Sequence, residues 1–144
     1  MNHPAPQTDF EAIFARTPGL CLVLDPGFII LAQNDAHCRA TNTRRENTIG
    51  RLLFEVFPDN PNDSAADGLS DLRRSLITVL KTKRPDVMKL LKYDIARAPG
   101  MGGGYERRYW RVVNTPILDG NGFVHLIVNQ VEDVTPTLSG GAAL

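Results

Sequence analysis

Apolar and polar positions alternate most sharply between Tyr105 and Thr135. Two runs rich in aromatic and β-branched residues, Tyr105 to Leu118 and Phe123 to Val131, flank Asp119-Gly120-Asn121-Gly122, where glycine and asparagine tolerate the positive φ of a tight reversal. The pattern predicts a long β-hairpin ending in Glu132-Asp133-Val134-Thr135. A hairpin alone is marginal in water, so the rest of the chain must supply a cover and further strands.

Upstream, Thr8-Asp9-Phe10-Glu11 has the spacing of a capping box, and Phe10, Ile13 and Phe14 recur at helical spacing, which predicts a short amphipathic helix ended by Thr17-Pro18-Gly19. Leu20 to Leu24 and Phe28 to Ala32 are apolar runs about the turn Asp25-Pro26-Gly27, a second hairpin. Asn34-Asp35 caps a short helix through Thr41, and Thr43-Arg44-Arg45-Glu46 opens another that Gly50 closes. An apolar knot from Leu52 to Phe57 stops at Pro58, and Asp59 to Gly68 has the composition of a loop. The stripe Leu69, Leu72, Leu76, Val79 and Leu80 predicts the longest helix, Leu69 to Lys83, terminated by Pro85. Val87 to Ile95 suits one strand, and the glycines of Ala98 to Gly104 suit a mobile loop. Strands at both ends of the chain with helices between them give an α+β layout, an antiparallel sheet with helices packed on one face.

With 144 residues there is room for one domain with a single core. Sixteen Lys and Arg balance sixteen Asp and Glu, and the arginine pairs are scattered, so no concentrated basic face invites nucleic acid or an anionic membrane. No apolar run approaches the roughly 20 residues that span a bilayer, and the N-terminus lacks a leader pattern. Cys21 and Cys38 lack Cys-x-x-Cys spacing and suit small buried hydrophobes in a reducing compartment, so a cytoplasmic location is expected. There is no nucleophile elbow, paired carboxylate or metal-ligand spacing, and Asp59 to Asp63 has its glycine and distal glutamate misplaced for a calcium loop.

The order and spacing of several short pieces resemble a PAS domain, the sensory module of bacterial sensor histidine kinases and related signalling proteins. These are Leu22-Val23-Leu24-Asp25, Asn34-Asp35-Ala36, Ile49-Gly50-Arg51, Phe54-Glu55-Val56-Phe57-Pro58, Asn114 to Gly122, and Glu132-Asp133-Val134-Thr135. The resemblance implies a five-stranded antiparallel sheet whose helices enclose a pocket on one face. It assigns 18–135 to the sensory domain and 8–17 to an N-terminal flanking helix, with 1–7 a disordered tail and 136–144 a linker or cut end. Thr135 to Gly141 breaks helical periodicity, so the output domain is missing from this chain or the sensor works in trans.

It also implies a non-catalytic module in which a ligand or partner biases the sheet and the bias leaves through Asp133 and Thr135 to an output such as a histidine kinase. Gly50-Arg51-Leu52-Leu53 has leucines where flavin photosensors of the family carry asparagine and cysteine, and the long helix lacks the histidine common in haem binders. Flavin photochemistry and haem are therefore disfavoured, and the cofactor is left unnamed. His37 and His125 stand alone and suit solvated or locally bonded side chains. If the family's sheet orientation holds, Trp110, Val112 and Asn114 share a face with Ile127, Asn129 and Val131, an apolar wall with two hydrogen-bonding groups suited to a small molecule. Lys92 is either a cation for an acidic ligand or a solvated strand lysine. A filled core without ligand is the alternative for the whole set. Phe10, Ile13 and Phe14 have little surface of their own to cover and predict a homodimer interface. Three functions follow: a ligand-holding sensor, a ligand-free dimerisation module, or a small α+β pocket enzyme.

Overall fold

The structure is a computed structural model that describes residues 7–64 and 66–140. Most of the predicted tail, residues 1–6, and the last four residues of the predicted linker lie outside the described residues.

Helix α1 (Phe10–Arg16) starts one residue later than the capping-box spacing suggests. Asp9, not Thr8, is the cap, and its Oδ1 accepts the Ala12 N–H at 3.0 Å. Strands β1 (Leu20–Leu24) and β2 (Ile30–Gln33) form the expected hairpin. The second strand begins two residues late because Phe28 adopts a left-handed φ of 69°, while Asp25 Oδ1 accepts the Gly27 and Ile29 N–H groups. Helix α2 (Asp35–Thr41) follows, and the expected helix after it is a single 3-10 turn, Arg45–Asn47. The apolar knot holds helix α3 (Leu53–Val56), and the long helix α4 (Gly68–Thr82) lies where its stripe predicts.

The predicted strand Val87 to Ile95 is broken into three pieces. β3 (Asp86–Val87) and β4 (Leu91–Lys92) both pair with β7 (Tyr109–Leu118), while β5 (Ile95–Ala96) leaves the sheet to form a separate ribbon with β6 (Tyr105–Glu106). Val87 opposes Val113 and Leu91 opposes Trp110, so the β3–β4 side carries one residue more than β7 across the same span, and that bulge splits the strand. The long hairpin of β7 and β8 (Val124–Asp133) forms as expected, but its first strand begins at Tyr109 because Tyr105 and Glu106 belong to the ribbon. The main sheet is thus six-stranded, not five-stranded, in the order β2-β1-β8-β7-β3 with β4 also on β7.

Helix α5 (Thr135–Gly140) occupies a stretch expected to be non-helical. Pro136 stands in its first turn, where a missing N–H breaks no helical bond, and the Thr135 N–H is held by Asp133 Oδ1 at 2.9 Å. The core lies between the sheet and helices α2 to α4, in two groups. Leu22, Leu24, Ile30, Leu53, Phe54, Leu76, Val79 and Ile127 form one; Leu91, Ile95, Trp110 and Val112 form the other.

Candidate functional site

Between those groups the packing leaves a half-open cavity of about 60 Å³. Its position depends on Asn34, which ties α2 to β1. Asn34 Oδ1 caps α2 by accepting the His37 N–H and also accepts the Cys21 N–H, each at 3.1 Å, while Nδ2 donates to the carbonyls of Thr17 and Gly19. Every hydrogen-bonding position of this buried amide is occupied, so α2 is set over the sheet with His37 and Thr41, one helical turn apart, on the cavity side. The sheet contributes Leu22, Trp110, Val112, Asn129 and Val131, and α3 and α4 contribute Leu53, Phe54, Leu69 and Leu72. Phe57, Tyr93 and the β4–β5 residues Leu91 and Ile95 close it.

None of these lining side chains is an acid, a lysine or an arginine. Burial pushes the His37 imidazole down to about 4, so it is neutral at physiological pH, and its ring stands edge-on to Phe57. Tyr93 is also held neutral: burial first, then the nearby Asp59 carboxylate, raises its hydroxyl well above the ordinary value. Its O–H donates to the Pro58 carbonyl at 2.6 Å, and its own carbonyl accepts the Trp110 indole N–H at 2.9 Å.

Of the seven pocket residues expected from the sequence, Trp110, Val112, Asn129 and Val131 line the cavity. Asn114 and Ile127 share their buried face but sit behind the wall, Asn114 hydrogen-bonded to Asn129 and Ile127 packed in the first core group. Lys92 is not among the lining residues. Its ammonium is paired with Asp63 at 2.9 Å and Asp94 at 3.3 Å, which corrects the reading of a free cation awaiting an acidic ligand. His37, Thr41, Phe57 and Tyr93 were missed. Polar residues at 37 and 41, four apart on a capped helix, were the available signal.

The strands that form the wall end at a clamped exit. The Thr135 hydroxyl accepts the Tyr109 N–H at 2.7 Å, and the Val134 N–H donates to the Tyr109 carbonyl at 2.9 Å. Arg108 donates to both Asp133 and Glu106, joining the exit to the β5–β6 ribbon that carries Ile95. Burial works to raise the Asp133 carboxyl, but hydrogen bonds from Thr135 and the Arg108 guanidinium outweigh it and hold Asp133 below the ordinary carboxylate value. Arg108 is a functional candidate that the sequence pattern did not reveal. At the other end, α1 buries none of its residues, and Phe10 and Ile13 remain 75% and 57% exposed.

In comparisons with known proteins, the family model described as PAS fold matches residues 8–134. Among solved structures, the chain is similar to a PAS domain from Colwellia psychrerythraea at 13% identity and a TM-score of 0.66, covering 88% of this chain and 94% of that one. It is similar to a sensory box sensor histidine kinase from Vibrio cholerae at 17% identity and a TM-score of 0.57, covering 88% of each chain. It also resembles a Rhodobacter sphaeroides LOV protein at 16% identity and a TM-score of 0.65, covering 93% of this chain and 71% of that one. No protein of curated function matches the sequence. With nearly the whole of the folded region accounted for by one family model, the chain belongs to the PAS fold family.

Proposed function

We propose that this PAS module is a non-catalytic sensor in which occupancy of the cavity biases the β7–β8 hairpin, and the hairpin passes that bias through Asp133 and Thr135 into α5 and an output such as a histidine kinase. One observation carries the reading. The strands that supply Trp110, Val112, Asn129 and Val131 to the cavity wall are the strands that end at the Arg108–Asp133–Thr135 clamp. The structural likeness to a sensor histidine kinase supports a signalling role. Among the described residues no helix is long and apolar enough to cross a membrane, and we place the module in the cytoplasm as part of this proposal.

A double-mutant cycle on unfolding free energy tests the transmission step. Leu53→Ala alters the α3 wall within the first core group, while Asp133→Asn loosens the exit, where Asp133 stands opposite Trp110 of the second. Independent sites add within about 0.3 to 0.5 kcal/mol, so transmission predicts a larger interaction energy and simple additivity refutes it.

The small cavity favours a second reading, a closed-core module acting by dimerisation alone. In both readings we propose a homodimer covering Phe10, Ile13 and Phe14, since α1 leaves its apolar stripe largely uncovered. A monomer at high concentration in sedimentation would remove that part.

A further inference from the structure

Two hydrogen-bond chains end at the cavity, and each has its direction fixed by an anchor that can only accept. The first begins at Asp86. Its Oδ2 lies 2.6 Å from Ser75 Oγ and accepts the one hydroxyl hydrogen of Ser75. Ser75 Oγ therefore accepts from Asn114 Nδ2 at 2.8 Å, which leaves Asn114 Oδ1 to accept from Asn129 Nδ2 at 2.7 Å. Turning either amide over would set donor against donor or acceptor against acceptor. The order of the chain leaves Asn129 Oδ1, on a cavity-lining residue only 3% exposed, with no protein partner among the described residues.

The second chain begins at the backbone carbonyl of His37, which accepts the Thr41 hydroxyl hydrogen at 2.8 Å. Thr43 must then donate to Thr41, and its own oxygen accepts from Gln33 Nε2. The other hydrogen of Gln33 Nε2 faces His37 Nδ1 at 2.9 Å, while Gln33 Oε1 accepts from Thr48. His37 thus carries its ring hydrogen on Nε2, and that donor also has no partner among the described residues.

The cavity presents one unused acceptor on the sheet side and one unused donor on the α2 side, in an uncharged apolar lining. We propose that it takes a small uncharged molecule bearing a hydroxyl group, which donates to Asn129 Oδ1 and accepts from His37 Nε2–H. This rests on the sensory reading above and names its ligand class. An ionised ligand would be stripped of water with no countercharge in the lining, a cost that such a site does not repay. The volume of about 60 Å³ admits only a few heavy atoms.

The test is an NMR titration of the full chain with four probes of similar size: 2-propanol, acetone, acetate and xenon, read at the Asn129 side-chain amide and the backbone amides of the cavity wall. Acetone accepts but cannot donate, so the expected result is 2-propanol binding about tenfold more tightly than acetone, with acetate giving no saturable shift. In Asn129→Leu the preference for 2-propanol over acetone is lost. If that variant does not fold, the wild-type panel decides alone. Equal binding of 2-propanol and acetone, or saturable acetate binding, overturns the ligand class. If xenon still binds in that case, the cavity and the sensory reading stand. If no probe shifts the cavity amides, both fall.

Discussion

His37 gives the most quantitative handle on the buried site. Folding takes its imidazole from 6.5 in the free side chain to about 4, because the ring is withdrawn from water. Below the unfolded value, the unfolded chain gains a proton that the folded chain resists. The stability tied to the neutral ring is therefore whole above about pH 6.5 and is lost as the pH falls toward the folded value. The full difference corresponds to roughly 3 kcal/mol, of which roughly 2 kcal/mol is gone by about pH 5. For a domain of this size that lowers the melting temperature by roughly 6 to 8 °C. Urea and thermal unfolding at a series of pH values between about 7.5 and 5, on the wild type and on His37→Gln, isolates the histidine from all other groups. The wild type should lose roughly 2 kcal/mol more than the variant across that window. Parallel curves for the two proteins would show that His37 titrates in the folded chain near its ordinary value, and the neutral imidazole assigned to the cavity wall would be wrong.

Two further perturbations separate packing from signalling. Alanine normally improves on glycine in a helix by about 1 kcal/mol, but at Gly68 the added Cβ would lie 2.6 Å from the Lys92 carbonyl oxygen, a backbone atom with little room to yield. Gly68→Ala should therefore destabilise by roughly 1 to 3 kcal/mol in urea unfolding, and a gain in stability would mean that α4 does not approach β4 this closely. Arg108→Gln removes one of the groups that hold the Asp133 carboxyl low, so an NMR titration should find that carboxyl shifted upward in the variant. Because the folded value is depressed, the stabilisation exists above the ordinary value of 3.8 and disappears as the pH falls through the folded one, and the variant has less of it to lose.

Much of the architecture was legible because it follows from local rules. The stripe from Leu69 to Leu80 fixed α4 and placed Leu69 and Leu72 on the cavity, and period-two alternation in the long hairpin put Trp110, Val112 and Asn129 on one buried face. Long-range geometry was not legible. The bulge that breaks the strand after Val87 and the departure of β5 into its own ribbon depend on how β7 is paired, which no local pattern encodes. Lys92 looked available because its partners, Asp63 and Asp94, arrive from a loop and from the strand break. Arg108 looked like one of several scattered basic residues, and only the fold brings it to Asp133, 25 positions away. In the sequence His37 is an isolated histidine. Its significance arises from the Gln33, Thr41 and Thr43 bonds that fix its tautomer, and these span two elements and a loop.

The central claim is that the cavity and the C-terminal exit share one equilibrium. Amide hydrogen exchange at Val134 and Thr135, with and without xenon under pressure, measures it without assuming the ligand class, because both N–H groups are held in the clamp, one by the Tyr109 carbonyl and one by Asp133. Coupling between two linked sites typically amounts to about 1 to 3 kcal/mol, so filling the cavity should change exchange at these two amides by about fivefold or more. Unchanged exchange at Val134 and Thr135, in a sample whose Val112 and Asn129 resonances show the cavity occupied, would contradict the account.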